Sequence, residues 1–202
     1  MADWTGSSGS KIRPYRNIHG PQIRHFEEST AASSAVILRG DVLTFDTVVT
    51  TGGPRVVRAP SSAGTGTNLM EVAIKSLVGV SLSNSTSDGS TTGLNGGGVG
   101  LSRLRHIGVC LATPGQEFIG QASTMAPASS AANQALVGRN LPLVYDRTHH
   151  AFFVGTANGT VALAAVQITE VPESVLGDSG AYPLVFKFLS TNLSPVVGGA
   201  SQ

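Results

Sequence analysis

The chain has few charged residues, few aromatic residues, one cysteine and no long apolar run. Of its 202 residues, 12% are charged and 5% are aromatic, whereas roughly 25% are charged in an ordinary soluble domain. So little charge excludes a long-range field that steers charged substrates, and the net charge of +1 argues against a body that neutralises nucleic-acid phosphates. A mostly small and neutral surface is instead typical of a protein that packs against partners.

The single cysteine, Cys110, excludes an internal disulfide framework. It lies in the alternating stretch RHIGVCLA, which favours a buried small hydrophobe over a catalytic thiol. No apolar run reaches the ~18–20 residues of a membrane span, and the polar start MADWTGSSGS is not typical of a signal peptide. We therefore expect a protein that is made in a cytoplasm and does not enter a membrane.

Acidic residues are missing from the N-terminal stretch SKIRPYRNIHGPQIRH, which carries four Lys or Arg residues and two prolines. The stretch has no helical or strand period, so residues 1–34 are interpreted as an extended arm. At about 3.3 Å per residue, such an arm would reach roughly 100 Å. The residues expected to bind a partner are Lys11, Arg13, Tyr15, Arg16 and Arg24.

From residue 35 onward, short apolar runs with a period of two indicate β-strands, separated by Gly- and Pro-rich turns. The strand candidates are DVLTFDTVVT, MEVAIKSL, HIGVCLA, LPLVYD, HAFFVG, TVALAAVQITEV and PLVFKFLS. Helical period is confined to SSAANQALVG, near residues 129–138. The prediction is an all-β fold: a β-sandwich or small β-barrel over residues 35–202, with the extended N-terminal arm before it and a Gly/Ser-rich surface loop at 83–100.

Two neighbouring strand candidates, LPLVYD and HAFFVG, are joined by RTHH and predicted to form a hairpin. Each has adjacent apolar residues, namely Leu143 with Val144 and Phe152 with Phe153. A half-buried strand exposes one member of each pair, and an exposed apolar strip usually marks an interface. Phe152 and Phe153 are therefore predicted to lie at a self-association interface.

The letters GDSG at 177–180 match the surroundings of the nucleophile in chymotrypsin-like serine proteases, with His106, Asp146 and Ser179 in the order that those enzymes require. The chain ends soon after Ser179, however, and His106 falls on a predicted strand without a small-residue loop around it. The same letters make a good turn, because Asp178 can form an Asx turn and glycine tolerates positive φ. We expect a turn into the last strand and no enzyme activity, and we keep the protease as an alternative.

The sequence has no recognisable site for a metal or a cofactor. The adjacent His149 and His150 would point to opposite sides of an extended chain, and no Cys or carboxylate cluster flanks them beyond Asp146. The glycine-rich GLNGGGVG lacks the lysine and the following helix of a phosphate-binding loop. We therefore predict neither a metal ion nor a cofactor.

Several segments resemble the head decoration, or cement, proteins of tailed bacteriophages. The resemblance covers about residues 36–195 and is carried by AVILRGDVLTFD, SLVGVSL, HIGVCLATPGQEF, LVGRNLPLVYD and VLGDSGAYPLVFKFLSTNL. It implies a structural virion protein, made in the host cytoplasm, that binds the major capsid protein on the outside of the shell and stabilises contacts between capsomers. It also implies a homo-oligomer, with a trimer favoured by the local threefold positions of such shells. A receptor-binding β-module is a further alternative, which the low aromatic content disfavours.

Overall fold

The structure is a computed structural model. It describes residues 12–29, 37–46, 54–59, 69–72, 76–84, 106–125, 130–146, 150–156, 164–172 and 181–194. Within these ranges the fold is nearly all β, which confirms the predicted class.

The strands are β1 (Arg13–Arg16), β2 (Ile23–Glu28), β3 (Val42–Phe45), β4 (Arg55–Arg58), β5 (Leu69–Glu71), β6 (Leu77–Ser81), β7 (His106–Leu111), β8 (Glu117–Met125), β9 (Asn140–Leu141), β10 (Leu143–Asp146), β11 (Ala151–Val154), β12 (Val166–Glu170) and β13 (Ala181–Phe188). One helix, α1, spans Ser130–Leu136, and a 3-10 turn spans Ser190–Asn192.

Five strands close into a small barrel in the order β2–β4–β3–β6–β7. All neighbours are antiparallel except β2 and β4, which run parallel and are linked by an ion pair of 3.0 Å between Arg55 and Glu27. Because side chains alternate along a strand, every second residue faces the interior. The residues of this interior core are Phe26, Ile37, Leu43, Val56, Val78, Ile107, Val109 and Leu111. The small barrel that the sequence predicted is thus confirmed.

The other strands form an open eight-stranded sheet in the order β5–β10–β11–β8–β13–β12–β9, with β1 paired to β8 beside this path. Among the described strands β8 is the longest, with nine residues. It pairs with β13 on one side, and with β1 and β11 on the other. The predicted hairpin of β10 and β11 is confirmed, with Leu143 opposite Val154.

A second core joins the barrel to the sheet. On the barrel, Val42, Val80 and Cys110 lie opposite one another on three adjacent strands. They belong to the same buried cluster as Phe118 and Phe186 of the sheet. Strands β3, β6 and β7 are therefore buried on both faces, which explains their nearly continuous apolar sequence.

The predicted N-terminal arm is extended over its described part, but it does not stand apart from the body. Strand β1 pairs with β8, and β2 pairs with both β4 and β7 and so completes the barrel. The boundary predicted between residues 34 and 35 falls outside the described residues. The loop predicted at 83–100 also lies outside them after Asn84.

Candidate functional site

The N-terminal segment begins its described part with a buried isoleucine. Ile12 is 1% exposed and lies against Gly120 of β8. A Cβ at residue 120 would come within 3.1 Å of both Ile12 Cγ1 and Phe186 Cε1. Glycine at this position thus leaves the space that Ile12 fills, and β1 starts in contact with the central strands of the sheet.

Arg16 links the end of β1 to two other strands. Its guanidinium pairs with Glu117 of β8 and, at 3.0 Å, with Glu170 of β12. The hydrogen bond with Glu117 raises the pKa of Arg16 above its ordinary value, and the charges of Glu117 and Glu170 act in the same direction. The guanidinium also lies 5.3 Å from the ring centroid of Tyr15. Arg16 was predicted to bind a partner, but here it binds carboxylates of its own chain.

A tight turn at residues 17–20 connects β1 to the chain that enters β2. The N–H of Gly20 donates to the C=O of Asn17 at 3.1 Å, and the N–H of His19 donates to Asn17 Oδ1 at 2.8 Å. Gly20 has a φ of 77°, which side-chain-bearing residues rarely adopt. The Asn17 amide also donates to Gln116 Oε1 at 3.1 Å, so the turn is bonded to the body.

Most of the exposed large apolar side chains of the described residues lie on this turn and its flanks. Ile18 is 92% exposed, Ile23 51% and Tyr15 47%. The fourth, Val137, lies at the end of α1 and is 47% exposed. We call residues 13–25 the N-terminal surface.

The N-terminal surface also carries exposed cationic and imidazole groups. Arg13, His19, Arg24 and His25 are all exposed. The sequence has no acidic residue from position 11 to position 26. Of the five predicted partner-binding residues, Arg13, Tyr15, Arg16 and Arg24 therefore lie at the surface, whereas Lys11 is outside the described residues.

One of the two phenylalanines predicted at a self-association interface is in the core. Phe152 is 1% exposed, and its ring centroid lies 4.9 Å from that of Tyr145. The prediction for Phe152 is therefore wrong, because this face of β11 packs inside the molecule. Phe153 points to the other face, where it is half-buried opposite the half-buried Val144.

The structure describes only part of the predicted protease triad. Asp146 is buried at the end of β10, and His106 is the first residue of β7 in the barrel. Ser179 and the side chain of His106 lie outside the described residues, as does His149. Strand β13 begins at Ala181, directly after GDSG, as expected if this motif leads into the last strand.

A polar cluster that sequence reasoning missed connects the barrel to the sheet. Arg58 Nη1 of β4 donates to Tyr145 Oη of β10 at 2.8 Å, and His150 Nδ1 lies 3.2 Å from the same hydroxyl. Burial raises the pKa of Tyr145, the charge of Arg58 lowers it, and the charges of Asp41 and Asp146 raise it further. A phenol with a raised pKa that is hydrogen-bonded on both sides is a structural group rather than an activated nucleophile.

Neither the side chains of the described residues nor comparison with known proteins identifies a ligand. In the ranges that the structure describes, no three His, Cys, Asp or Glu side chains are grouped to hold a metal ion. In the same ranges, no helix is long and apolar enough to span a membrane. Comparison of the chain with protein families, curated proteins and solved structures found no match.

Proposed function

We propose that this chain is a structural protein that binds the outside of a bacteriophage capsid shell and stabilises contacts between capsomers. The observation that carries this proposal is the N-terminal surface. Three of the four exposed large apolar side chains of the described residues lie there, beside exposed Arg and His side chains. Exposed apolar groups on a well-held segment are suited to binding another protein.

The anchoring of this segment supports a role in adhesion between proteins. Three contacts hold its described part. Ile12 is buried in the core, Arg16 forms ion pairs with two carboxylates, and β2 pairs with β4 and β7. Force applied at the N-terminal surface would therefore act on both the sheet and the barrel. The proposed partner is the major capsid protein of the shell, because several sequence segments resemble head decoration proteins.

The proposal assigns binding and no catalysis. Burial raises the pKa of the Cys110 thiol to about 11, so this group is not a thiolate at neutral pH. The Tyr145 hydroxyl bonds to Arg58 and His150. The protease alternative has a simple test: a fluorophosphonate probe should leave the protein unlabelled, whereas labelling that disappears in Ser179→Ala would establish a hydrolase.

The proposal includes self-association as a trimer, through the strip formed by Val144 and Phe153. These two side chains are paired across β10 and β11 and are half-buried. Closed symmetry would bury the same strip on every copy, and the local threefold positions of a shell suit three copies. Light scattering on the purified protein should give the mass of three chains. A monomer mass would contradict self-association in solution, and a dimer mass would contradict the threefold arrangement.

Binding to shells is the direct test of the function. Purified protein is mixed with empty shells assembled from the major capsid protein encoded with it, the shells are sedimented, and the bound copies are counted. We expect saturation at a fixed ratio to capsid subunits, density on the outer surface by electron microscopy, and a higher temperature of shell rupture. Failure to sediment with shells at micromolar concentration would reject the proposed function.

A further inference from the structure

We infer that the turn Asn17–Gly20 is a preorganised binding tip, whose Ile18 side chain enters an apolar pocket with an acidic rim on the partner protein. This inference rests on the proposed function, because it names the contact within the N-terminal surface by which the chain would bind a shell. We refer to residues 17–20 as the binding tip.

Ile18 contributes almost nothing to the stability of its own fold. With 92% of its surface exposed, it buries almost no apolar area. Turn positions favour Gly, Pro, Asn, Asp and Ser, each for a local conformational reason, and a β-branched residue has no such reason to be there. An isoleucine at the middle of a turn is stabilised only when another surface removes it from water.

The binding tip has a defined geometry before it meets a partner. Two hydrogen bonds close the turn at Asn17. The buried Gln116 accepts a bond from Asn17 and donates to the C=O of Arg16 at 3.3 Å and of Glu117 at 2.7 Å. A turn whose backbone is already held in place loses less conformational entropy on binding than a loose segment does.

The chain on both sides of the binding tip is cationic. The tip contains the exposed His19 and lies in the sequence between the exposed Arg13 and Arg24, and no acidic residue occurs between positions 11 and 26. The two carboxylates that approach from other strands are paired with Arg16. Carboxylates around the pocket would complement this surface and favour encounter. Nucleic acid is a poorer match, because phosphates need several cations and gain nothing from an aliphatic tip, and the whole chain has a net charge of only +1.

The test compares Ile18→Ala with Val137→Ala in a titration of shells by the full-length chain. Val137 is the control because it is also an exposed large apolar residue, but lies at the end of α1. We expect Ile18→Ala to weaken binding by at least about tenfold, as for a central interface residue, and Val137→Ala to leave it unchanged. Gly20→Ala, which strains the turn at its positive φ but has no atom within 4 Å to clash with, should also weaken binding.

The same titration tests whether the partner's pocket has an acidic rim. Arg24→Glu should weaken binding and reduce its dependence on salt concentration, whereas the same change at the exposed Arg139 should do neither. Equal effects of the two substitutions would reject the acidic rim. Circular dichroism and the unfolding temperature serve as controls, since Ile18 and Arg24 are exposed and their replacement should leave the fold intact.

The outcomes separate the inference from the function on which it rests. If wild type binds shells and Ile18→Ala binds equally well, the inference is rejected while the proposed function stands. If wild type does not bind shells, both are rejected. If a short DNA duplex binds wild type and Arg24→Glu abolishes that binding while Ile18→Ala does not, the N-terminal surface binds nucleic acid and the inference is again rejected.

Discussion

At the scale of single residues, Gly79 of β6 allows the backbone of β7 to pass very close to it in the barrel. A Cβ on it would lie 2.0 Å from the backbone oxygen of Cys110, far inside van der Waals contact. The register between β3 and β6 shifts at this point, since Leu43 lies opposite Gly79 and Thr44 opposite Leu77, with Val78 left over. Such a β-bulge bends a strand. The bend and the missing side chain together allow β6 to lie against β7.

We therefore expect Gly79→Ala to destabilise the protein by roughly 3 kcal/mol or more, as for severe overpacking. Urea unfolding followed by circular dichroism measures the change. Gly108→Ala in the adjacent strand is the matched control, because a Cβ there would make only an ordinary contact, at 3.6 Å from His25 Nε2. Equal stability of the two variants would contradict the close approach at Gly79.

Cys110 is the buried small hydrophobe that its alternating sequence predicted. Burial raises its pKa from the ordinary 9.0 to about 11. The folded state thus holds the thiol proton more tightly than the unfolded state. The stability that this gives is complete below about pH 9 and is lost as the pH rises from 9 toward 11.

We expect a thiol reagent at pH 8 to leave Cys110 unmodified in the native protein and to modify it fully in urea. Modification at equal rates in the native and unfolded protein would show that the thiol is accessible.

We also expect Cys110→Ala to lose less stability than wild type between neutral and alkaline pH, because the titrating thiol is gone. The raised pKa values of Tyr145 and Tyr182 act in the same direction and remain in both proteins.

At the scale of elements, the N-terminal strands show why a polar segment can belong to a core. Each of them contributes little apolar surface: Ile12 precedes β1, and Phe26 is the buried apolar residue of β2. Their prolines and cations made the segment look like a separate arm. What joins it to the body is backbone pairing and the ion pairs that Arg16 and Glu27 make with other strands, and neither has a signature in the local sequence.

Truncated chains test whether the N-terminal strands belong to the folded body. A chain that starts at residue 29 lacks β2, which would open the barrel and leave the edges of β4 and β7 unpaired. We expect it to lose cooperative unfolding and to aggregate. A chain that starts at Ile12 keeps both strands and should unfold like the full-length protein. A cooperative, soluble protein starting at residue 29 would mean that the body folds without its N-terminal segment.

For the remaining elements, the prediction succeeded where a short stretch of sequence is enough to define the structure, and failed where the structure depends on distant neighbours. The hairpin of β10 and β11 and the helix α1 were predicted because period and loop length are properties of a short stretch. The central strand β8 was missed, because its middle, Gly120–Ser123, is small and polar and its role comes from the neighbours on both sides. Likewise, the cations of the N-terminal surface were visible in the sequence. The fixed turn behind Ile18 was not, since Asn17 bonds to a residue 99 positions away.

At the scale of the whole molecule, one of the two buried cores is shared by the barrel and the sheet. Outward-facing side chains of the barrel, among them Val42 and Cys110, belong to the same buried cluster as residues of the sheet. The bond from Arg58 to Tyr145 crosses the same boundary between residues 87 positions apart. Neither unit could unfold alone without exposing this common core to water, and the loss would be large relative to a typical total stability of about 5–15 kcal/mol.

We therefore expect barrel and sheet to unfold in one transition. Hydrogen exchange measured on peptides from β7 and β13 should give the same free energy of opening for both at low denaturant, because only global unfolding exposes their buried amides. Tyr145→Phe should lower that free energy by about 1 kcal/mol for the lost hydrogen bond, or somewhat more because Arg58 is left unpaired, and should lower it equally in both peptides. If the β7 peptide opened at a distinctly lower free energy than the β13 peptide, the shared core would be too weak to couple the two units. The barrel would then be able to open while the sheet stayed folded. Because the N-terminal segment is paired to both units, its contact with a partner would be the first to be lost.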